Sequence, residues 1–153
     1  MPKCYVLVGP PGSGKSTWVK NQKLVHDYVY ASTDMHVEAY AKAQGKTYSE
    51  VFKEYMPKAI RRMHQDICNA KAASSDIIWD QTNTTVASRA KKFQMLPGYE
   101  MIAVEMSFVP IPELFRRVNS RPGKEIPKSV MHSMIEGYQE PTLEEGFSRI
   151  IRL

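Results

Sequence analysis

Residues Gly9 to Ser16 read Gly-Pro-Pro-Gly-Ser-Gly-Lys-Ser, which fits the pattern G-x-x-x-x-G-K-[ST] of a phosphate-binding loop, or P-loop. The apolar run Cys4-Tyr5-Val6-Leu7-Val8 precedes it and has the length of a buried strand. The residues from Lys15 onward can begin a helix. This strand–loop–helix context favours binding of a nucleoside triphosphate over the alternative, a chance glycine-rich turn.

The residue types of this loop suit phosphate chemistry. Gly9, Gly12 and Gly14 allow positive φ angles and bring backbone N–H groups close to phosphate oxygens. The following helix directs its positive end at the same anion. Lys15 can reach the β- and γ-phosphates, and the Ser16 hydroxyl can bind Mg²⁺. The loop therefore predicts ATP and Mg²⁺ as cofactors.

The composition indicates one globular domain over residues 1–153, with 42% hydrophobic and 24% charged residues. We expect no membrane span and no signal peptide, and hence a cytoplasmic protein, of a cell or of a phage in its host. Cys4 and Cys68 are expected to be buried free thiols. The net charge of +5 suits a polyanionic partner such as nucleic acid.

Strands and helices alternate along the chain, which predicts an α/β fold with a mostly parallel sheet covered on both faces. Predicted strands lie at residues 4–8, 28–31, 76–80, 101–108 and 148–153, the last at a sheet edge. Predicted helices lie at residues 15–24, 35–44, 49–73, 86–95, about 112–118 and about 127–138. Gly45 is expected to end the second helix, and Thr47 with Glu50 forms a capping box before the third. Pro57 predicts a kink or a break there.

Two aspartates follow predicted strands, at the edge where parallel sheets place their ligands. Asp34 can accept a proton from a hydroxyl nucleophile, or it can be the N-cap of the next helix. Asp80 ends the strand Ile77-Ile78-Trp79, so it can hold Mg²⁺ as a Walker B carboxylate, or it can be an ordinary turn residue.

Five cations crowd into thirteen residues near the carboxyl end of the chain: Arg116, Arg117, Arg121, Lys124 and Lys128. Arginine binds phosphate through a planar fork and stays charged. A mobile arginine loop can therefore stabilise the transferring phosphoryl group and exclude water. The pattern favours such a lid, here residues 116–127, over an ordinary solvated basic loop.

With these motifs in place, nearly the whole chain resembles the kinase domain of the polynucleotide kinase family, both the phage repair enzyme and the animal kinase/phosphatase. Four stretches carry the resemblance. They are Gly-Ser-Gly-Lys-Ser-Thr-Trp at 12–18, Asp-Gln-Thr-Asn at 80–83 with Ala-Ser-Arg-Ala at 87–90, the lid, and Gly137-Tyr138 with Glu-Pro-Thr-Leu-Glu-Glu-Gly-Phe at 140–147. The resemblance implies a P-loop kinase fold with a helical arginine lid.

The resemblance also implies roles for matching residues. It makes Asp34 the general base for a DNA or RNA 5′-hydroxyl, with Lys15 and Arg121 as the other catalytic residues. The implied ATP contacts are Gly12, Ser13, Gly14, Lys15, Ser16, Thr17, Arg117 and Arg121. The implied metal contacts are Ser16 and Asp80. The implied substrate contacts are Asp34, Thr82, Asn83 and Arg89.

Three positions depart from the family pattern on the substrate side. Ser32 and Thr33 replace the usual Asn-Arg before the base, and Val37 replaces an arginine that contacts the 3′-phosphate in the phage enzyme. The sequence contains no D-x-D-G-T phosphatase motif. A small-molecule or nucleoside kinase on the same scaffold, and a nucleotide- or end-binding module without turnover, therefore remain as alternatives.

Overall fold

A central sheet of five parallel strands organises the computed structural model, which describes residues 1–22 and 27–153. The strands are β1 (Lys3–Val8), β2 (Val29–Ala31), β3 (Ile77–Trp79), β4 (Glu100–Glu105) and β5 (Arg149–Arg152). Their order across the sheet is β2-β3-β1-β4-β5, and all neighbours run parallel. The predicted parallel sheet, with the last strand at its edge, is confirmed.

The central strand β1 supplies both faces of the core, because successive side chains of a strand point to opposite sides. Cys4, Val6 and Val8 pack in one cluster with side chains of the long third helix and of the strands. Tyr5 and Leu7 pack in a second cluster on the other face, together with Val19 of the first helix. The near-continuous apolar sequence of β1 thus reflects burial on both faces.

Six α-helices connect and cover the strands within the described residues. They are α1 (Lys15–Gln22), α2 (Thr33–Gln44), α3 (Tyr48–Ala72), α4 (Val86–Met95), α5 (Ile111–Asn119) and α6 (Lys128–Glu136). A short 3₁₀ helix at Leu143–Glu145 precedes β5. None of these described helices is long and apolar enough to cross a membrane.

Capping residues set the helix starts and ends beside the site. The predicted capping box of Thr47 and Glu50 is present at the start of α3, and Gly45 ends α2 with a φ of 65°. Helix α2 begins at Thr33, two residues before the predicted start, because the Ser32 side chain accepts a hydrogen bond from Met35 N. The predicted end of α1, at residues 23 and 24, lies outside the described residues.

Two further sequence predictions need correction. Strand β4 ends at Glu105 rather than at residue 108, because its partner β1 ends at Val8 and turns into the P-loop. Cys4 is buried as expected, but Cys68 is exposed. It lies on the outer side of α3, next to the inward-facing Ile67.

Of the two outcomes predicted at Pro57, a kink or a break, the break is excluded, because α3 continues through this residue as one helix.

Candidate active site

The P-loop leaves the end of β1 and leads into α1, and its glycines fit the tight path. Gly12 and Gly14 have φ angles of 85° and 103°, which L side chains rarely adopt. A Cβ atom on Gly12 would lie 3.3 Å from the Leu114 carbonyl oxygen of α5, whereas nothing lies within 4 Å of one on Gly14. The loop thus touches α5 on one side and is open on the other.

Lys15 lies at the end of this loop, with its ammonium group over the loop backbone. Its Nζ donates hydrogen bonds to the carbonyl oxygens of Gly9, at 2.8 Å, and Pro10, at 3.0 Å. Ser16 and Thr17, which follow it in the first turn of α1, are exposed. The hydroxyl groups and the open loop are therefore accessible to a ligand from the same side.

The pKa of Lys15 shows which charges surround it. Burial lowers this pKa to about 8. The carboxylates of Asp80 and Asp34 oppose the fall, while the cations Arg121 and Lys124 add to it. These four groups come from the end of β3, from α2 and from the lid. The fold therefore brings the predicted metal residue Asp80, the predicted base Asp34 and the lid cations around one lysine.

Asp80 follows β3 directly and lies next to β2. Its backbone N–H donates to Ala31 O at 2.8 Å, and its Oδ2 accepts a hydrogen bond from the Tyr30 hydroxyl. Burial raises the pKa of Asp80, and this effect exceeds the opposing ones of Tyr30 and Lys15. The carboxylate is therefore fixed in place by the neighbouring strand.

Asp34 lies in the first turn of α2, where Ser32 rather than Asp34 is the N-cap. Its Oδ1 accepts a hydrogen bond from the Tyr48 hydroxyl at 2.6 Å. Its Oδ2 lies 3.0 Å from Lys124 Nζ. The capping alternative is thereby removed, and the half-exposed carboxylate keeps surface for a third partner.

The lid contacts the P-loop and the start of α3. Arg117 donates to Gly12 O at 2.9 Å and pairs with Glu113 at 3.0 Å. Arg121 is half-buried, and its positive charge lowers the pKa of Lys15. Two hydrogen bonds, Ser49 N to Gly123 O at 3.0 Å and Glu125 N to Ser49 Oγ at 2.8 Å, hold the lid to α3. The lid thus reaches from the P-loop to Asp34 and the start of α3.

The three other residues assigned to substrate have structural contacts in this molecule. Thr82 O accepts from Gly9 N at 2.9 Å, and Asn83 Nδ2 donates to Leu7 O at 2.8 Å. Arg89, expected to contact substrate, is fully buried and pairs with Glu145 at 2.8 Å. Its guanidinium also donates to Asn83 O. Arg89 therefore cannot reach a substrate, because no part of its side chain is exposed.

The residues present fit a nucleoside triphosphate with Mg²⁺. The open, positive-φ loop offers backbone N–H groups, and Ser16 and Asp80 supply the hard oxygen atoms that Mg²⁺ prefers. Among the described residues, no cluster of three or more His, Cys, Asp or Glu side chains could hold a metal alone.

Three contacts of the site were not predicted from the sequence. Tyr30 binds Asp80, and Tyr48 binds Asp34, although neither tyrosine belongs to a recognised motif. Lys124 is one of the five cations of the lid region, and in the structure its ammonium group pairs with the carboxylates of Asp34 and Glu38. Tyr30 and Lys124 lie 50 and 90 residues from their partners, so only the sheet order and the lid path could have indicated these contacts. Tyr48 lies 14 residues from Asp34 and meets it because α2 and α3 pack together.

A loop of this geometry at the end of the central strand, with an arginine lid packed against it, identifies the molecule as a P-loop kinase. The chain belongs to the AAA domain family, whose model matches residues 5–141. Its fold is similar to that of a chain in the Pnkp1/Rnl/Hen1 RNA repair complex. That comparison has a TM-score of 0.68 and 22% identity, and covers 89% of this chain and 43% of the other.

Two relatives are similar in sequence. A shikimate kinase of Rhodococcus jostii is 31% identical over 102 residues, which is 67% of this chain and 58% of the relative. A bifunctional polynucleotide phosphatase/kinase of Schizosaccharomyces pombe is 27% identical over 150 residues, which is 95% of this chain and 32% of the relative. The chain thus spans less than two thirds of either relative, and the two have different substrates by name.

Proposed function

We propose that this chain, acting as one domain over residues 1–153, is an ATP-dependent polynucleotide 5′-hydroxyl kinase of the cytoplasm. The observation that carries the proposal is that one site holds Lys15 of the P-loop and the carboxylate of Asp34, which lies 3.0 Å from the lid residue Lys124 and opposes the fall in the pKa of Lys15. A phosphate-binding lysine and a half-exposed carboxylate in one site suit transfer of a phosphoryl group to a hydroxyl.

The proposed roles follow from the contacts of each side chain. When bound, ATP supplies the γ-phosphoryl group and leaves as ADP, and Mg²⁺ offsets the phosphate charge. Lys15 and the loop N–H groups hold the phosphates, and Ser16 and Asp80 hold the cation. Asp34 takes the proton of the 5′-hydroxyl as the new oxygen–phosphorus bond forms. Arg121 and Arg117 stabilise the charge of the transferring group.

A nucleic-acid acceptor is supported by two observations. The similarity to the S. pombe polynucleotide phosphatase/kinase extends over 95% of the chain. The net charge of +5 favours association with a polyanion. The half-buried Thr82, beside the P-loop, retains some exposed surface and stays a proposed substrate contact; Asn83 is buried and would act by shaping the loop.

The proposal is tested by incubating the protein with γ-labelled ATP, Mg²⁺ and oligonucleotides that end in a 5′-hydroxyl. We expect label at the 5′ end, and no label on matched oligonucleotides that already carry a 5′-phosphate. Transfer to free nucleosides or small alcohols, with none to oligonucleotides, would overturn the proposal. DNA and RNA acceptors of equal sequence are compared in parallel.

A small-molecule kinase is the second candidate, and the shikimate kinase similarity favours it. That relative is the more identical of the two, at 31%, and the chain spans more of its length. Val37 is also fully buried, so it offers nothing to a nucleotide 3′ side. The dependence of the rate on acceptor length separates the two candidates, because only a polynucleotide kinase gains from added nucleotides.

A further inference from the structure

Lys124 has an environment unlike that of a phosphate-binding lid lysine. Its Nζ lies 3.0 Å from Asp34 Oδ2 and 3.3 Å from Glu38 Oε1. The same atom lies 4.4 Å from the centre of the Tyr48 ring, within the range of a cation–π contact. The side chain is only 11% exposed, whereas those of Asp34 and Glu38 are 50% and 56% exposed. The ammonium group is thus enclosed by protein partners.

The backbone on both sides of Lys124 is fixed to α3. Gly123 O accepts from Ser49 N at 3.0 Å, and Glu125 N donates to Ser49 Oγ at 2.8 Å. Gly123 also packs so closely on Thr47 that an added Cβ would lie 2.8 Å from the Thr47 Cβ. The ammonium position is therefore set by the loop and by its partners together.

Lys124 and Tyr48 bind the two different oxygens of the Asp34 carboxylate. The phenol donates to Oδ1 at 2.6 Å, and the ammonium lies 3.0 Å from Oδ2. Each carboxylate oxygen can accept more than one hydrogen bond, and half of the Asp34 side chain stays exposed. The two contacts therefore fix the plane of the carboxylate and leave a lone pair accessible.

We propose that Lys124 is a positioning residue that, with Tyr48, orients Asp34 toward the acceptor hydroxyl when the lid is closed. The inference rests on the proposed function, in which Asp34 is the general base. A general base acts only when its lone pair points at the proton it removes. Lys124 has little free surface and three protein partners, so its role is exerted through Asp34 rather than on substrate phosphate.

The first test is Lys124→Met, which keeps the length of the side chain and removes its charge. We expect kcat to fall about tenfold with the KM for ATP unchanged, within the coupling range of residues in contact. Lys124→Arg restores the cation and should recover part of the loss. Lys42→Met, at an exposed lysine of α2, is the matched control and should keep the wild-type kcat.

The second test is a double-mutant cycle between position 124 and position 34, measured in single turnovers with enzyme in excess. Asp34→Asn and Asp34→Glu provide two backgrounds, so that at least one retains a measurable rate. If Lys124 acts through Asp34, Lys124→Met should cost much less in these backgrounds than in the wild type. A purely structural role would instead give the same factor in every background.

The outcomes separate this inference from the proposed function. If the wild type transfers phosphate but Lys124→Met stays within twofold in kcat, or its loss is the same in all backgrounds, the positioning role is wrong. If the wild type transfers no phosphate to any 5′-hydroxyl, the proposed function itself is wrong and the inference falls with it.

Discussion

Asp34 at the start of α2 is the residue on which the proposed chemistry depends most. Its carboxylate is half-exposed and has two protein partners, Tyr48 and Lys124. Asp34→Asn keeps the shape of the side chain but removes its basicity, so we expect the transfer rate to fall by at least about 10²-fold. Calorimetry should show that the variant still binds ATP, because the proposed phosphate contacts belong to the P-loop.

The matched control for this prediction is Glu144→Gln, at an exposed carboxylate of the 3₁₀ helix. It should leave the rate unchanged. An Asp34→Asn variant that retains more than a tenth of the wild-type rate would contradict the role of Asp34 as the general base.

Lys15 gives the site a pH dependence of its own. Burial lowers its pKa to about 8 in the free protein, and a bound triphosphate favours the charged form and raises that pKa. Below about pH 8 the lysine is charged in both the free and the ATP-bound protein, so its protonation does not change the ATP affinity there. Above about pH 8, binding must take up a proton, and affinity should fall by up to about tenfold per pH unit.

Titration calorimetry from about pH 7 to about pH 9.5, in buffers of different ionisation enthalpy, measures both the affinity and the proton uptake. Lys15→Arg is the control, because arginine stays protonated throughout this range. Equal wild-type affinity at both ends of the range would contradict the lowered pKa.

The lid and α3 meet at Gly123, whose backbone oxygen accepts a hydrogen bond from Ser49 N. Gly123 has a φ of 69°, and a Cβ there would lie 2.8 Å from the Cβ and Cγ2 atoms of Thr47. Gly123→Ala should therefore separate the lid from α3, raise amide exchange over residues 121–126 and slow phosphate transfer. Hydrogen exchange followed by mass spectrometry measures the first effect.

Gly98→Ala is the matched control for the lid variant. Gly98 has a similar φ of 86°, but nothing lies within 4 Å of its added Cβ. Both variants place an alanine at a positive φ, but only Gly123→Ala adds a close contact with Thr47, so only Gly123→Ala should raise exchange in the lid. Equal exchange in the lids of the two variants would show that the packing on Thr47 does not hold the lid.

The end of α2 and the start of α3 could be predicted because the residues that cause them lie within a few positions in the sequence. The capping box of Thr47 and Glu50 is local, and so is Gly45 at the end of α2. The partner of Lys124 could not be predicted in this way. Asp34 is 90 residues away in the sequence, and the sheet order and the lid path bring the two together.

Arg89 joins distant parts of the molecule and is important for overall stability. Its buried guanidinium binds both carboxylate oxygens of Glu145, at 2.8 and 3.1 Å, and the backbone oxygen of Asn83. Arg89→Met leaves Glu145 without its cation, so we expect a loss of about 3 to 5 kcal/mol in the free energy of unfolding at neutral pH. Denaturant titration measures this loss of stability. Arg61→Met, at an exposed position of α3, is the control.

The same variant has a predictable acid response. Burial alone would raise the pKa of Glu145, but Arg89 and the Thr142 amide outweigh it and hold the pKa below its usual range. This contribution to stability is present at neutral pH and is lost as the pH falls through the folded-state pKa. The difference between wild type and Arg89→Met should therefore shrink in acid, and a constant difference would contradict the ion-pair explanation.

The net charge gives a prediction for the whole molecule that bears on its substrate. A chain of charge +5 that holds several phosphates of a single-stranded acceptor should release counterions on binding. With about three phosphate contacts, we expect the acceptor KM to rise with salt at a log–log slope of roughly 2. A KM for oligonucleotides that does not change with salt would favour the small-molecule candidate.

The sequence motif could predict the P-loop and its place between β1 and α1, because the residues of the motif are adjacent in one loop. Arg89 shows where the assignment of a role from a sequence motif fails. Its place in a recognised stretch suggested a substrate contact, but its side chain is fully buried against Glu145. Burial depends on how the β3–α4 loop and the segment before β5 pack together, and a local pattern does not contain that information.

The two hydrogen bonds between the lid and Ser49 also bear on timing. The lid begins in the last turn of α5 and contacts the P-loop through Arg117 and Asp34 through Lys124. The lid can move away from α3 only after its hydrogen bonds to Ser49 break. In the proposed reaction, a lid that must break these bonds before it moves would set how soon the next cycle begins.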